Sequence, residues 1–116
     1  MNESDFIAAA DATLDKIGLA LDAAVETSDA DVGWELADGV LTIECDDDSR
    51  IIVNRHVPNR EMWVAAKSGG FHFRAIDGRW RDARGDDELA AALVRILKTQ
   101  ARIAVIMPEL TAPADA

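Results

Sequence analysis

Residues 51–73, IIVNRHVPNREMWVAAKSGGFHF, read as strand, turn, strand, turn and strand. Ile51 and Val53, then Met62, Val64 and Ala66, then Phe71 and Phe73 fall at alternate positions, the period that turns one face of a β-sheet towards a core. By the same parity the opposite face carries Ile52, Asn54 and His56, then Glu61, Trp63 and Ala65, then His72. A tryptophan left open among an asparagine and histidines marks that face as one built to meet something. Asn54, His56, Trp63 and His72 are therefore the candidate partner-binding residues.

Outward from this stretch the same pattern continues. Val32 to about Leu36 alternates as a strand, Ala37-Asp38-Gly39 turns it, and Leu41, Ile43 and Cys45 point inward from the next strand. Asp46-Asp47-Asp48-Ser49 returns the chain along Arg50 to Arg55, and Val57-Pro58-Asn59 and Lys67-Ser68-Gly69-Gly70 turn it twice more. Asp77-Gly78 precedes a short last strand around Trp80. Turns so closely spaced force neighbouring strands to be antiparallel, because a parallel pair needs a crossover of about a dozen residues.

Helical periodicity brackets the strands. Capped by Asn2 or Ser4, a first helix runs to about Val25 with Phe6, Ala10, Leu14, Ile17 and Leu21 as its apolar stripe. A second carries Leu89, Leu93, Ile96 and Leu97 inside and Arg95, Lys98 and Arg102 outside, with Asp86-Asp87-Glu88 suited to its first turn. Two amphipathic helices at the ends of one meander bury themselves by covering the same face. The expected fold is α+β: a two-layer α/β sandwich, N- and C-terminal helices on one face of a five- to six-stranded antiparallel sheet. Trp63 belongs to the face left in solvent.

Composition limits what such a domain can do. At 116 residues with 49% hydrophobic content the chain is one domain with a real core. Its 22 acidic against 12 basic residues give a net charge of −10, which argues against an unassisted grip on nucleic acid or an anionic membrane. Cations and basic protein surfaces are the natural partners. The single cysteine, Cys45, allows no disulfide framework, and its place in a strand reads as a small buried hydrophobe. Without a basic leader or an apolar run of about 18 residues, a cytoplasmic location is expected.

The candidate chemistry lies on the first helix. At about 100° per residue, Asp11, Asp15, Asp22 and Glu26 fall within an arc of roughly 60°. Asp29 and Asp31 prolong the acidic run, and Glu35 follows in the first strand. Crowded carboxylates are hard ligands that favour Ca²⁺, Mg²⁺, Mn²⁺ or iron, in an open and poorly selective site. From the residues alone, the commoner meaning of such a ridge is a solvated helix face. Neither DADVGWELAD nor DDDSRIIVNRH fits a calcium-binding EF-hand loop. Nor do His56 and His72, or Ser68-Gly69-Gly70, supply metal-ligand spacing or a phosphate loop, and no nucleophile, base and orienting group stand together. No enzyme is indicated.

The run SRIIVNRHVPNREMWVAAKSGGFHF, with GVLTI at 39–43 before it and GRW at 78–80 after it, resembles the bacterial frataxin family, at the family's spacing and over nearly the whole chain. The resemblance implies the same sandwich. It also implies weakly bound iron, Fe²⁺ or Fe³⁺, along Asp11, Asp15, Asp22, Glu26, Asp29, Asp31 and Glu35, with other divalent cations competing. Through Asn54 and Trp63 it implies contact with the iron-sulfur assembly machinery, and through the ridge contact with a basic groove of the cysteine desulfurase, so the partners implied are the desulfurase and the iron-sulfur scaffold protein. Gly18, Leu19, Ala23, Ala24 and Gly33 depart from positions where relatives often carry acids, which implies weaker iron loading, and His56 stands where many have glutamine.

The function expected is therefore an iron-binding regulator of iron-sulfur cluster assembly, donor or sensor, monomeric without metal. The alternatives are a storage or ferroxidase protein acting through oligomers, and an acidic binding module with no metal role. Residues 1–104 are expected to form the domain and 105–116 a tail, whose Val105, Ile106, Met107 and Leu110 fill a groove between the helices while residues from Thr111 hold no place.

Overall fold

The computed structural model describes residues 1–85 and 87–114. Helix α1 spans Glu3–Glu26, strands β1 to β6 span Gly33–Ala37, Val40–Glu44, Arg50–His56, Glu61–Ala66, Gly69–Ile76 and Arg79–Asp82, and helix α2 spans Leu89–Ile96. The strands pair in sequence order as one antiparallel meander of six. Both helices lie on one face of it, α1 over β1 to β3 and α2 against β6, so the expected α+β sandwich is the fold observed.

Each element forms for a local reason. Asn2 caps α1, its side-chain oxygen accepting the Asp5 N–H at 2.8 Å. In the Asp38-Gly39 and Asp77-Gly78 turns both residues have positive φ, as a two-residue hairpin whose twist matches its strands requires. The β4–β5 turn is shorter than the sequence suggests. Only Lys67 and Ser68 form it, because Gly69 and Gly70 already pair with Ala66 and Ala65.

The core is the alternating set. Leu41, Ile43, Ile51, Val53, Met62, Val64, Phe73 and Trp80 face the α1 stripe of Phe6, Ala10, Leu14, Ile17 and Leu21, all essentially sealed from solvent. Trp80 packs edge-on to Phe6 at 5.9 Å between ring centroids, and its indole N–H donates to the buried Thr13 hydroxyl at 3.0 Å. That bond satisfies both polar groups and ties the last strand to the first helix.

The C-terminal half differs from expectation in three places. Helix α2 begins at Leu89 with no acid in its first turn; Glu88 and Asp87 precede it and pair instead with Arg79 at 3.3 Å and Arg95 at 2.6 Å. Asp86, assigned to that turn from sequence, lies outside the described residues. Beyond Ile96 the helix widens into a π-helical turn, Leu97–Ala101, and stops on Arg102 in the left-handed region.

The tail then runs extended, so its burial alternates. Val105 and Leu110 join the core and Met107 packs against it, whereas Ile106, expected inside, is 95% exposed. Thr111 bridges to Arg79, and the Ala112 N–H donates to the Gly78 carbonyl at 2.9 Å, so the chain past Leu110 does hold a place, along the outer edge of β6. Among the described residues no helix is long and apolar enough to cross a membrane.

Candidate functional site

The uncovered sheet face is ordered by strand register. Val40, Asn54, Trp63 and His72 are successive partners across β2, β3, β4 and β5, so they form one row perpendicular to the strands. His56 lies two residues along β3, on the same face and opposite Glu61. Trp63 is thereby sandwiched. The His56 imidazole stacks on the indole at 3.7 Å between centroids and 7° between planes, and His72 stacks at 4.3 Å and 6°. Glu61 accepts the indole N–H at 2.9 Å and lies 3.9 Å from Nδ1 of His72.

Trp63 is thus half-buried and held, not the open side chain that parity alone suggests. Both histidines serve as its walls. The Asn54 amide is turned along the strand, donating to the Arg55 carbonyl at 3.2 Å. Glu61, which sequence reading left without a role, positions the ring. Its place two residues before Trp63, on the same face of one strand, is the signal that could have found it.

The acidic ridge is a row, not a cage. Asp15, Asp22, Glu26, Asp29 and Asp31 are exposed along α1 and the segment after it. Asp11 is partly buried and forms an ion pair with Arg55, and Asp22 accepts the Trp34 indole N–H at 2.8 Å. Glu35 does not join them. Trp34 beside it points inward against Gly18, so Glu35 projects from the opposite face of the sheet, in a cleft with Thr42 and Glu44. Asp38, which no sequence pattern singles out, does approach the ridge. The β1–β2 turn carries it to an open cleft of about 390 Å³ that also holds Asp11, Asp15 and Arg55.

Two of the missing acids have a structural cause. A Cβ at Gly18 would come within 2.8 Å of the Trp34 ring, and Ala24 is buried, so neither position could offer a carboxylate to solvent here. Leu19, Ala23 and Gly33 are exposed, and there the ridge is thinner than it could be. Among the described residues no three His, Cys, Asp or Glu side chains gather closely enough to hold a metal ion, so the ridge is a row of separate carboxylates.

Cys45 is free and buried, and that burial pushes its thiol up from the ordinary range against a smaller lowering by Ser49. It is expected to react with an aromatic disulfide reagent at least about tenfold more slowly in the native protein than in urea. Cys45 sits one residue past the end of β2 and not within the strand as expected, so equal rates in a stopped-flow comparison would show that the chain opens at the β2–β3 turn.

The family model for the frataxin-like domain matches residues 1–103. The chain is 45% identical over 107 residues to the iron-sulfur cluster assembly protein CyaY of Ralstonia nicotianae, covering 92% of this chain and 95% of that one. It is 46% identical over 110 residues to the protein of the same name from Janthinobacterium sp., covering 94% and 98%. Frataxin from Psychromonas ingrahamii has a similar structure, with a TM-score of 0.80 at 32% identity over 94% of this chain and 100% of that one. Trimeric frataxin from Saccharomyces cerevisiae, complexed with ferrous iron, gives 0.71 at 26% identity over 81% and 86%.

Proposed function

The chain belongs to the frataxin family, and on that premise we propose that it is a cytoplasmic, non-enzymatic regulator of iron-sulfur cluster assembly that binds iron weakly and docks on the cysteine desulfurase and its scaffold protein. The observation that carries this reading is the prepared sheet face. A tryptophan stacked between two imidazoles has already lost its rotamer freedom, so docking on it costs little further ordering. Bacterial relatives named for iron-sulfur cluster assembly support the process.

Iron is cargo in this reading, held by Asp15, Asp22, Glu26, Asp29 and Asp31, with Asp11 and Asp38 at the near end. The donor set is carboxylate alone, which suits ferrous and ferric iron and admits Ca²⁺ and Mn²⁺ as competitors. The same acids, facing a basic groove on the desulfurase, would speed association at low salt. Without metal the protein is a monomer. The yeast relative, trimeric with ferrous iron, makes assembly on iron the reading to test against it.

Anaerobic titration with ferrous iron, followed by amide-resonance broadening and light scattering, tests the proposal. Broadening is expected to centre on residues 11–38 at constant molecular mass; centring on His56 and His72, or a rise in mass, overturns it. Asp15→Asn with Glu26→Gln is expected to weaken that broadening while raising stability by a few tenths of a kcal/mol, since each change removes a like-charge neighbour four residues away. Asp22 is the wrong residue for this test because it holds Trp34. A fall in melting temperature at low salt for the double variant would contradict the repulsion argument.

A further inference from the structure

A cleft of about 490 Å³ opens where the C-terminal helix passes the hairpin turns, lined among others by Asp47, Lys67, Ser68, Arg95, Thr99 and Arg102. In a chain of net charge −10, its walls bring together Lys67, Arg95 and Arg102 against Asp47, and with Asp87 on Arg95 the local balance among the described residues is three positive charges to two negative. Its volume is that of a small-molecule site.

The walls are fixed. The Gln100 side chain accepts the Lys67 N–H at 3.0 Å and donates to the Ser49 hydroxyl at 3.0 Å and the Arg50 carbonyl at 3.2 Å, binding the helix end to both turns. The backbone is distorted at the same place. The helix passes into its π turn at Leu97, and Arg102 ends it at φ 56° and ψ 35°, where glycine is the usual residue. Arg102 is exposed in that conformation and makes no ion pair among the described residues, so its guanidinium is free to meet a ligand at the cleft.

We propose that this cleft binds a small phosphate-bearing anion, with the Arg102 and Arg95 guanidinium groups and the Ser68 hydroxyl as donors. Planar guanidinium forks match phosphate oxygens, and Ser68 makes no hydrogen bond through its hydroxyl among the described residues. Arg95 is shared with Asp87, and Lys67 with Asp47. The Asp47 carboxyl is held well below the usual range by hydrogen bonds from Lys67 and Ser49, so it stays charged and opposes the anion. A long polyanion such as RNA is excluded, because the rest of the surface would repel it.

Inorganic pyrophosphate is the probe, titrated into the full chain at constant ionic strength and followed by calorimetry and amide shifts. Saturable shifts are expected at residues 67–68 and 99–102. Arg102→Gly should weaken binding about tenfold, the loss of one charged fork. It should also leave the urea midpoint unchanged or higher, since glycine adopts the left-handed conformation freely. Asp47→Asn should tighten binding by releasing Lys67. The proposal fails if Arg102→Gly binds like the parent, if Asp47→Asn weakens binding, or if chloride at equal ionic strength produces the same shifts.

Discussion

Truncation after Ala104 is expected to lower the stability of the domain by about 3–6 kcal/mol, the loss of two buried aliphatic side chains at roughly 1.5–3 kcal/mol each. Val105 and Leu110 are 5% and 3% exposed and belong to the same core cluster as α1 and the sheet. Their removal also strips the ion pair between Arg79 and Glu109 at 2.9 Å and uncovers the edge of β6. Small domains have about 5–15 kcal/mol in all, so the shortened chain should sit near its unfolding midpoint at physiological temperature.

Truncation after Leu110 keeps the buried side chains and loses, among the described residues, the Thr111 bridge, the bond from the Ala112 N–H to the Gly78 carbonyl and the packing of the Ala112 methyl on the core. About 1 kcal/mol is expected there, the net worth of a hydrogen bond or two. Urea titration of the two shortened chains measures the contrast. Midpoints equal to that of the full chain in both would mean that the tail contributes nothing and that the helices close the core by themselves.

The tail shows how legible the chain was. Apolar residues past Ala104 announced burial, but their inward and outward order depended on whether they continue the helix or run extended, and nothing local decides that before Pro108. The sheet was easier. Alternation from Ile51 to Phe73 and the two Asp-Gly turns are local signals, and period two left the register almost no freedom, since a slip of one residue would invert the core. What stayed hidden was contact across long sequence separations. Asp11 is occupied by Arg55, Asp22 by Trp34, and Gly18 yields its space to that same indole, pairings that depend on how α1 crosses the sheet. Helical angles correctly made Asp15, Asp22 and Glu26 a solvent-facing row, yet angles cannot say which carboxylate is already engaged. For Glu35, strand parity with Trp34 held the answer, and grouping it with the ridge ignored that parity.

On the docking proposed above, Trp63→Ala is expected to weaken binding to the desulfurase and scaffold complex by about 100-fold or more while the fold survives, as for a buried aromatic anchor at the centre of an interface. The indole stands in the middle of the row from Val40 to His72, so its loss removes the contact and also frees both imidazoles that it orders. The cost in stability should be about 1–3 kcal/mol, two stacked pairs at roughly 0.5–1.5 kcal/mol each, because no core side chain is touched. Trp63→Phe separates the two roles: it retains a ring for His56 and His72 but gives Glu61 no N–H, leaving a half-buried carboxylate without its partner. Intermediate affinity for phenylalanine would assign part of the recognition to the Glu61 contact. Calorimetric affinities beside urea midpoints for both variants decide the matter. If alanine binds like the parent, the row is not the docking surface; if it unfolds the chain, the stack belongs to the core of the fold and not to recognition.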